Sequence, residues 1–177
     1  EVRVQKAYTA RTLAYEKTTK TPSLSFGYRA LSRDGAPHKF TKTVEVRNLS
    51  AAACTYRPSA LLRYSGSQKT GAVKVQCLPA ALTVPAGGTG TFDVVVNVDP
   101  NKLPDWTLDG GLNGGNGELL RQLEYSGYVY VVCGSESVRL PWHLLPHKAA
   151  DVTASPATLA LGGAPGTVTL SNIKGAV

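Results

Sequence analysis

Between Leu24 and Pro146 the side chains alternate with a period of two, apolar then polar, in short runs that turn clusters separate every 8 to 15 residues. That period places successive side chains on opposite faces of an extended chain, whereas an amphipathic helix needs apolar residues three and four apart. Short alternating runs joined by turns stack into an antiparallel sandwich or barrel, so the expected fold class is all-β. A chain of 177 residues, 42% of them apolar and 18% charged, can close such a core without a metal or disulfide staple. No run of about 18 apolar residues is present, so no membrane-spanning helix is expected.

The runs read as strands in order. LSFGYRAL (24–31) leads into the turn SRDGAP, and KFTKTVEVRNL (39–49) carries Phe40, Val44 and Val46 on one face against Thr43, Glu45 and Arg47 on the other. In CTYRPSALLRY (54–64), Cys54, Tyr56, Ala60, Leu62 and Tyr64 face one way, and Thr55, Arg57, Ser59 and Arg63 the other. AVKVQCL (72–78) is expected to pair back as a hairpin after SGSQKTG, with LTVP and the turn AGGTG following. GTFDVVVNVDP (90–100) turns Phe92, Val94, Val96 and Val98 inward and stops at Pro100. After a Gly-rich connection over 101–122, LEYSGYVYVVCG (123–134) and SVRLPWHLLP (137–146) form a hairpin about Gly134-Ser135. Phe40, Tyr56, Leu62, Phe92, Val96, Val129 and Trp142 are the expected core.

The ends read differently. Val4, Ala7, Ala10 and Ala14 recur at helical spacing, so residues 1–15 are expected to hold a short helix. The polar, Thr-rich stretch 16–23, broken by Pro22, has the composition of a linker. The sandwich then occupies 24–149. Within 150–177 the string TVTLSNIK repeats TVEVRNLS of the first strands, so this tail reads as the first strands of a second, truncated sandwich module. Methionine is absent even at position 1, and Glu1 reads as the start of a processed or excised piece with no leader before the first segment.

Chemistry-bearing residues are sparse. The formal charge of +7 is spread over single cations such as Arg3, Lys6, Arg57, Arg121 and Arg139, without the dense basic run of a nucleic-acid partner. Cys54, Cys77 and Cys133 lie 23 and 56 residues apart, far from zinc-knuckle spacing; one disulfide with a free thiol, or three buried thiols, remain open. His143 and His147 are four apart but Pro141 and Pro146 forbid a helix, and on a strand they stand ~13 Å apart, too far to share a metal. Like His38, they read as strand-end histidines. The loop DGGLNGGNGE offers Asp109, Asn113, Asn116 and Glu118 as oxygen ligands for calcium, although its spacing departs from the helix-loop-helix calcium pattern; no other cofactor is expected. Its glycines precede no Lys-Ser/Thr pair, which excludes a phosphate-cradling loop. Ser, His and Asp/Glu occur, but none in a nucleophile elbow, so no catalytic residue is assigned. Asn48-Leu49-Ser50 is a formal glycosylation sequon, read as a chance occurrence.

The order of segments resembles the region that follows the catalytic domain in secreted subtilisin-like serine peptidases. VRVQKAYTA (2–10) resembles the final helix of the catalytic domain, without the glycines that precede it in the family. KTVEVRNLS followed by LTVPAGGTGTFDVVVNVDP is similar to the family's fibronectin type III-like domain, and YSGYVYVV with SVRLPWHLLP resembles its closing hairpin. The likeness covers most of residues 2–149. The family's catalytic strings, D-[ST]-G, H-G-T and G-T-S-x-A, do not occur, so no catalytic position carries over.

The resemblance implies a fibronectin type III/immunoglobulin-like antiparallel β-sandwich that is accessory to a secreted peptidase. Its partners would be the peptidase domain upstream in the same chain and a protein substrate, at an extracellular or cell-surface location. In the standard sandwich the strands opened by Cys54 and closed by Cys133 are antiparallel neighbours, which implies a Cys54–Cys133 disulfide and a free Cys77. The rival reading is a cell-surface adhesive or carbohydrate-binding sandwich that uses exposed aromatics, with Trp106 as the best candidate contact.

Overall fold

Each alternating run becomes a strand whose apolar face must meet another sheet, and the chain satisfies this by crossing between two sheets at nearly every connection. The computed structural model describes residues 8–32, 37–104, 123–149, 151–156 and 166–174. Its strands are β1 (Thr12–Glu16), β2 (Leu24–Ser32), β3 (His38–Asn48), β4 (Cys54–Leu62), β5 (Val73–Leu78), β6 (Leu82–Val84), β7 (Thr89–Val98), β8 (Tyr125–Cys133), β9 (Glu136–Ala149), β10 (Asp151–Ser155) and β11 (Thr169–Lys174). One sheet has the order β1-β3-β7-β5 and the other β2-β9-β8-β4-β6, while β10 and β11 pair as a separate two-stranded ribbon. The protein is thus an all-β sandwich, antiparallel except where β2 runs parallel to β9.

The interior is the alternation made solid. Phe92, Val94, Val96 and Val98 of β7 meet Tyr56, Val129, Leu140 and Trp142 of the opposite sheet, all buried. Phe40 and Leu62, expected in the core, are partly buried against it. Gly27, with φ +71°, sits at a bulge in β2 and shifts its phase: Leu24 and Phe26 are buried before it and Leu31 after it. The two prolines of β9 stand where one neighbour is missing. Pro141 precedes the segment paired with β2 and Pro146 follows the segment paired with β8, so no central ladder is interrupted.

Three sequence expectations are corrected. Residues 12–16 are a strand rather than the end of a helix; Tyr8 and Thr9 alone are helical among the described residues of that stretch. The helical spacing of alanines misleads because the inward residues of β1 include buried Thr12 and Glu16, which carry no apolar signal. The stretch 16–23 is a fastened turn and not a free linker. Thr19 donates its hydroxyl and backbone N–H to the Glu16 carboxylate, and Glu16 N–H donates to Thr21 O at 2.8 Å. Finally, β5 does not fold back on β4: the short helix Ser65–Thr70, closed by Gly71 at φ 62°, carries the chain across to pair β5 with β7. The β8–β9 hairpin does turn at Gly134-Ser135, Gly134 supplying the positive φ of 58°.

Trp142 is the largest fully buried side chain, and it fits because its cross-strand neighbour is Gly127. A Cβ on Gly127 would lie 1.8 Å from Leu61 O and 2.7 Å from the indole Nε1, which donates to that same carbonyl at 3.2 Å. Gly127→Ala should therefore lower the unfolding free energy by about 2 kcal/mol or more in urea titrations. Gly66→Ala, where nothing lies within 4 Å, should be neutral or stabilising by up to about 1 kcal/mol. Equal effects at both positions would refute this account of the packing.

The hydrogen bond from the Thr19 hydroxyl outweighs burial and holds the Glu16 carboxyl down at about 2, below its ordinary 4.5. The unfolded chain thus takes up a proton that the folded chain refuses. Stability from Glu16 is fully present above about pH 4.5 and disappears as pH falls through 2. Glu16→Gln should cost about 1–2 kcal/mol at neutral pH and flatten the acid limb of stability between pH 4.5 and 2, read from urea midpoints across pH.

Candidate docking site at the N-terminal end of the sandwich

The N-terminal segment is fastened to both sheets at one end of the sandwich. β1 belongs to the four-stranded sheet and pairs with β3 along its whole length, Thr12 opposite Asn48 and Glu16 opposite Val44. Glu136, the first residue of β9 in the other sheet, reaches across to the same segment. One carboxylate oxygen accepts the Arg11 backbone N–H at 2.7 Å and the other accepts the Thr12 hydroxyl at 3.0 Å. Having given its proton to Glu136, the Thr12 oxygen accepts from the Tyr56 hydroxyl at 3.2 Å. Arg11 O accepts in turn from Leu49 N–H at 2.8 Å, so the backbone of Arg11 is held on both sides. Both oxygens of Glu136 are spent on holding the chain, a positioning role rather than proton transfer.

Asn48 organises the loops around this end. Its side-chain N–H groups donate to Ala52 O at 2.8 Å and to Val84 O and Pro85 O at 3.1 Å, and its Oδ1 accepts from the Ser50 backbone and hydroxyl. Only 1% of Asn48 is exposed, so the sequon is closed to a glycosyl donor in the folded chain. Beside it, Cys54 at the start of β4 and Cys133 at the end of β8 form a disulfide with Cα atoms 6.3 Å apart. An open cleft of about 870 Å³ lies among these groups, lined by Arg11, Ser50, Tyr56, Glu136 and the disulfide. The disulfide is compatible with an extracellular or periplasmic setting.

The remaining sequence candidates disperse. Cys77 is a buried free thiol on β5, pushed up to about 11 by burial. His143 Nε2 lies 2.9 Å from Ser25 Oγ on the exposed face of the five-stranded sheet, His147 stacks on Tyr28 at 6.0 Å, and His38 lies 3.4 Å from Ser32 O. Among the described residues no three His, Cys, Asp or Glu side chains gather as metal ligands. Asp109, Asn113, Asn116, Glu118 and Trp106 lie outside the described residues. No helix among the described residues is long and apolar enough to cross a membrane. Sequence reading misses Thr12, Asn48 and Glu136 because their work is long-range, Thr12 meeting Glu136 across 124 residues. The one local signal is a carboxylate placed directly after a two-residue hairpin turn.

No family model and no curated protein matches the chain. Among solved structures, it is similar to a FixG-related protein from Vibrio parahaemolyticus at 12% identity and TM-score 0.44, over 76% of this chain and 94% of that one. It is similar to the ASH/PapD-like domain 7 of human CEP192 at 11% identity and TM-score 0.44, over 78% and 87%. A family 123 glycoside hydrolase from Clostridium perfringens shares 10% identity at TM-score 0.49, over 79% of this chain and 28% of that one.

Proposed function

We propose that this chain is the non-catalytic accessory sandwich of a secreted subtilisin-like serine endopeptidase, and that it stabilises and positions the protease domain or its protein substrate. The observation that carries the reading is the fastening of β1. A segment paired over five residues with β3 and clamped by Glu136 of the opposite sheet cannot swivel, so a domain joined before Thr12 is tethered to a fixed point at one end of the sandwich. This is the physical requirement on an accessory module that works through geometry and not through its own chemistry. The disulfide suits secretion, and it ties β4 to β8 beside the clamp. In the same reading the β10–β11 ribbon opens a second module of the same kind.

Two measurements test this. The coding sequence upstream of Glu1 should contain the D-[ST]-G, H-G-T and G-T-S-x-A strings; further sandwich repeats in their place would support the adhesive reading and overturn ours. The purified chain should leave casein intact, and cleavage silenced by a serine-directed inhibitor would equally overturn it. The clamp has its own signature. Glu136→Ala should speed amide exchange in β1 by about tenfold or more while leaving β7 unchanged, because it removes charge-assisted hydrogen bonds that hold only the N-terminal segment.

A further inference from the structure

The outer face of the five-stranded sheet has an unusual composition. Outward positions of β4, β8 and β9 carry Arg57, Leu61, Tyr128, Tyr130 and Arg139, and Arg63 follows just beyond the end of β4. No aspartate or glutamate occupies an outward position within these three strands, and exposed Glu124 stands at the margin of the face, just before β8. Register assembles the residues into one surface: Tyr128 stands opposite Leu61 on one side and Pro141 on the other, and Tyr130 opposite Ser59 and Arg139. Leu61 is 56% exposed at its centre. The Tyr128 and Tyr130 rings lie 6.3 Å apart, and the Arg139 guanidinium sits over Tyr128 at 5.1 Å. Arg63 lies likewise over the Tyr64 ring at 5.3 Å. Among the described residues none of Arg57, Arg63 and Arg139 forms an ion pair.

Strand geometry spaces the three arginines roughly 12–20 Å apart around the aromatic centre. Tyrosine and arginine are enriched in protein interfaces while lysine and the carboxylates are depleted there, and a solvated face ordinarily mixes both signs. Bare guanidiniums are forks matched to carboxylates, and a flat apolar centre offers area that a small anion cannot use. We propose that this face docks a protein partner that presents carboxylates around an apolar patch. The inference is independent of whether a peptidase domain precedes the chain. The face is a handful of side chains on three strands, smaller than the ~800 Å² per partner of a standard interface, and its charges are solvent-exposed, so the association is weak and salt-sensitive.

The test is titration of the ¹⁵N-labelled chain with a glutamate-tyrosine copolymer at low salt, which should shift the amides of Leu61, Tyr128, Tyr130 and Arg139. Arg57→Gln combined with Arg139→Gln should weaken binding by about tenfold or more, and Tyr130→Ala severalfold. Lys74→Gln, at an exposed position of β5 in the other sheet, should leave it unchanged. Binding that the arginine variant does not weaken overturns the proposal. So does heparin, or an anionic vesicle of phosphatidylglycerol, binding much more tightly than the copolymer through the same arginines, because the face would then belong to a different class of polyanion.

Discussion

Trp142 and Gly127 set the geometry on which both faces of the larger sheet depend. The indole is too large for a neighbour with a side chain at the cross-strand position, and its Nε1 would be an orphan in the core without Leu61 O. Satisfying it ties β9 to β4 across β8, the strand between them. The same carbonyl belongs to the residue whose side chain lies at the centre of the outer face. Inner packing and outer surface are therefore one constraint: β4, β8 and β9 cannot shift register without stranding the indole and scattering the arginines and tyrosines. The T-shaped contact of Phe26 on Trp142, with ring centres 6.4 Å apart, extends that constraint to β2.

The central strands are legible in sequence because burial there is apolar and periodic. Phe92, Val94, Val96 and Val98 point one way in the string and into the core in the fold. Pairing is less legible, since alternation fixes which face a residue shows and not which strand lies beside it. That is why β5 lies on β7 rather than β4, and why the parallel β2–β9 pair leaves no mark in the string. The N-terminal end is hidden for a different reason. Thr12, Glu16 and Asn48 are buried polar groups whose burial is tolerable because their hydrogen bonds are completed, for Glu16 by nearby Thr19 but for Thr12 by Glu136 and Tyr56 and for Asn48 in part by Val84 and Pro85, partners remote in sequence that no local pattern encodes.

Those same groups give the sandwich its mechanical character. A purely apolar β1 could slide or fray at modest cost, whereas slippage here would leave the partly buried Glu136 carboxylate without the donors that Arg11 and Thr12 supply. The polar pins convert a short strand, five residues long, into a fixed attachment. In the proposed accessory role that fixity is the functional property, and the disulfide beside it resists opening of the same end.

The ribbon extends the argument to the proposed second module. In the string TVTLSNIK, Asn172 takes the place of Asn48 in TVEVRNLS, and it stands opposite Val152 as Asn48 stands opposite Thr12. By the same correspondence Ala154 faces Leu170 as Ala14 faces Val46, so β10 and β11 repeat the β1–β3 pairing rather than the β2–β3 sequence order. Val44 and Val46 are fully buried, yet their counterparts Val168 and Leu170 are 40% and 69% exposed. Among the described residues no second layer covers these two strands, and an isolated pair is marginal in water. Covering each such side chain stabilises by about 1.5–3 kcal/mol, so the ribbon carries a strong preference for an opposing sheet of the kind that β2, β9 and β8 supply in the first sandwich.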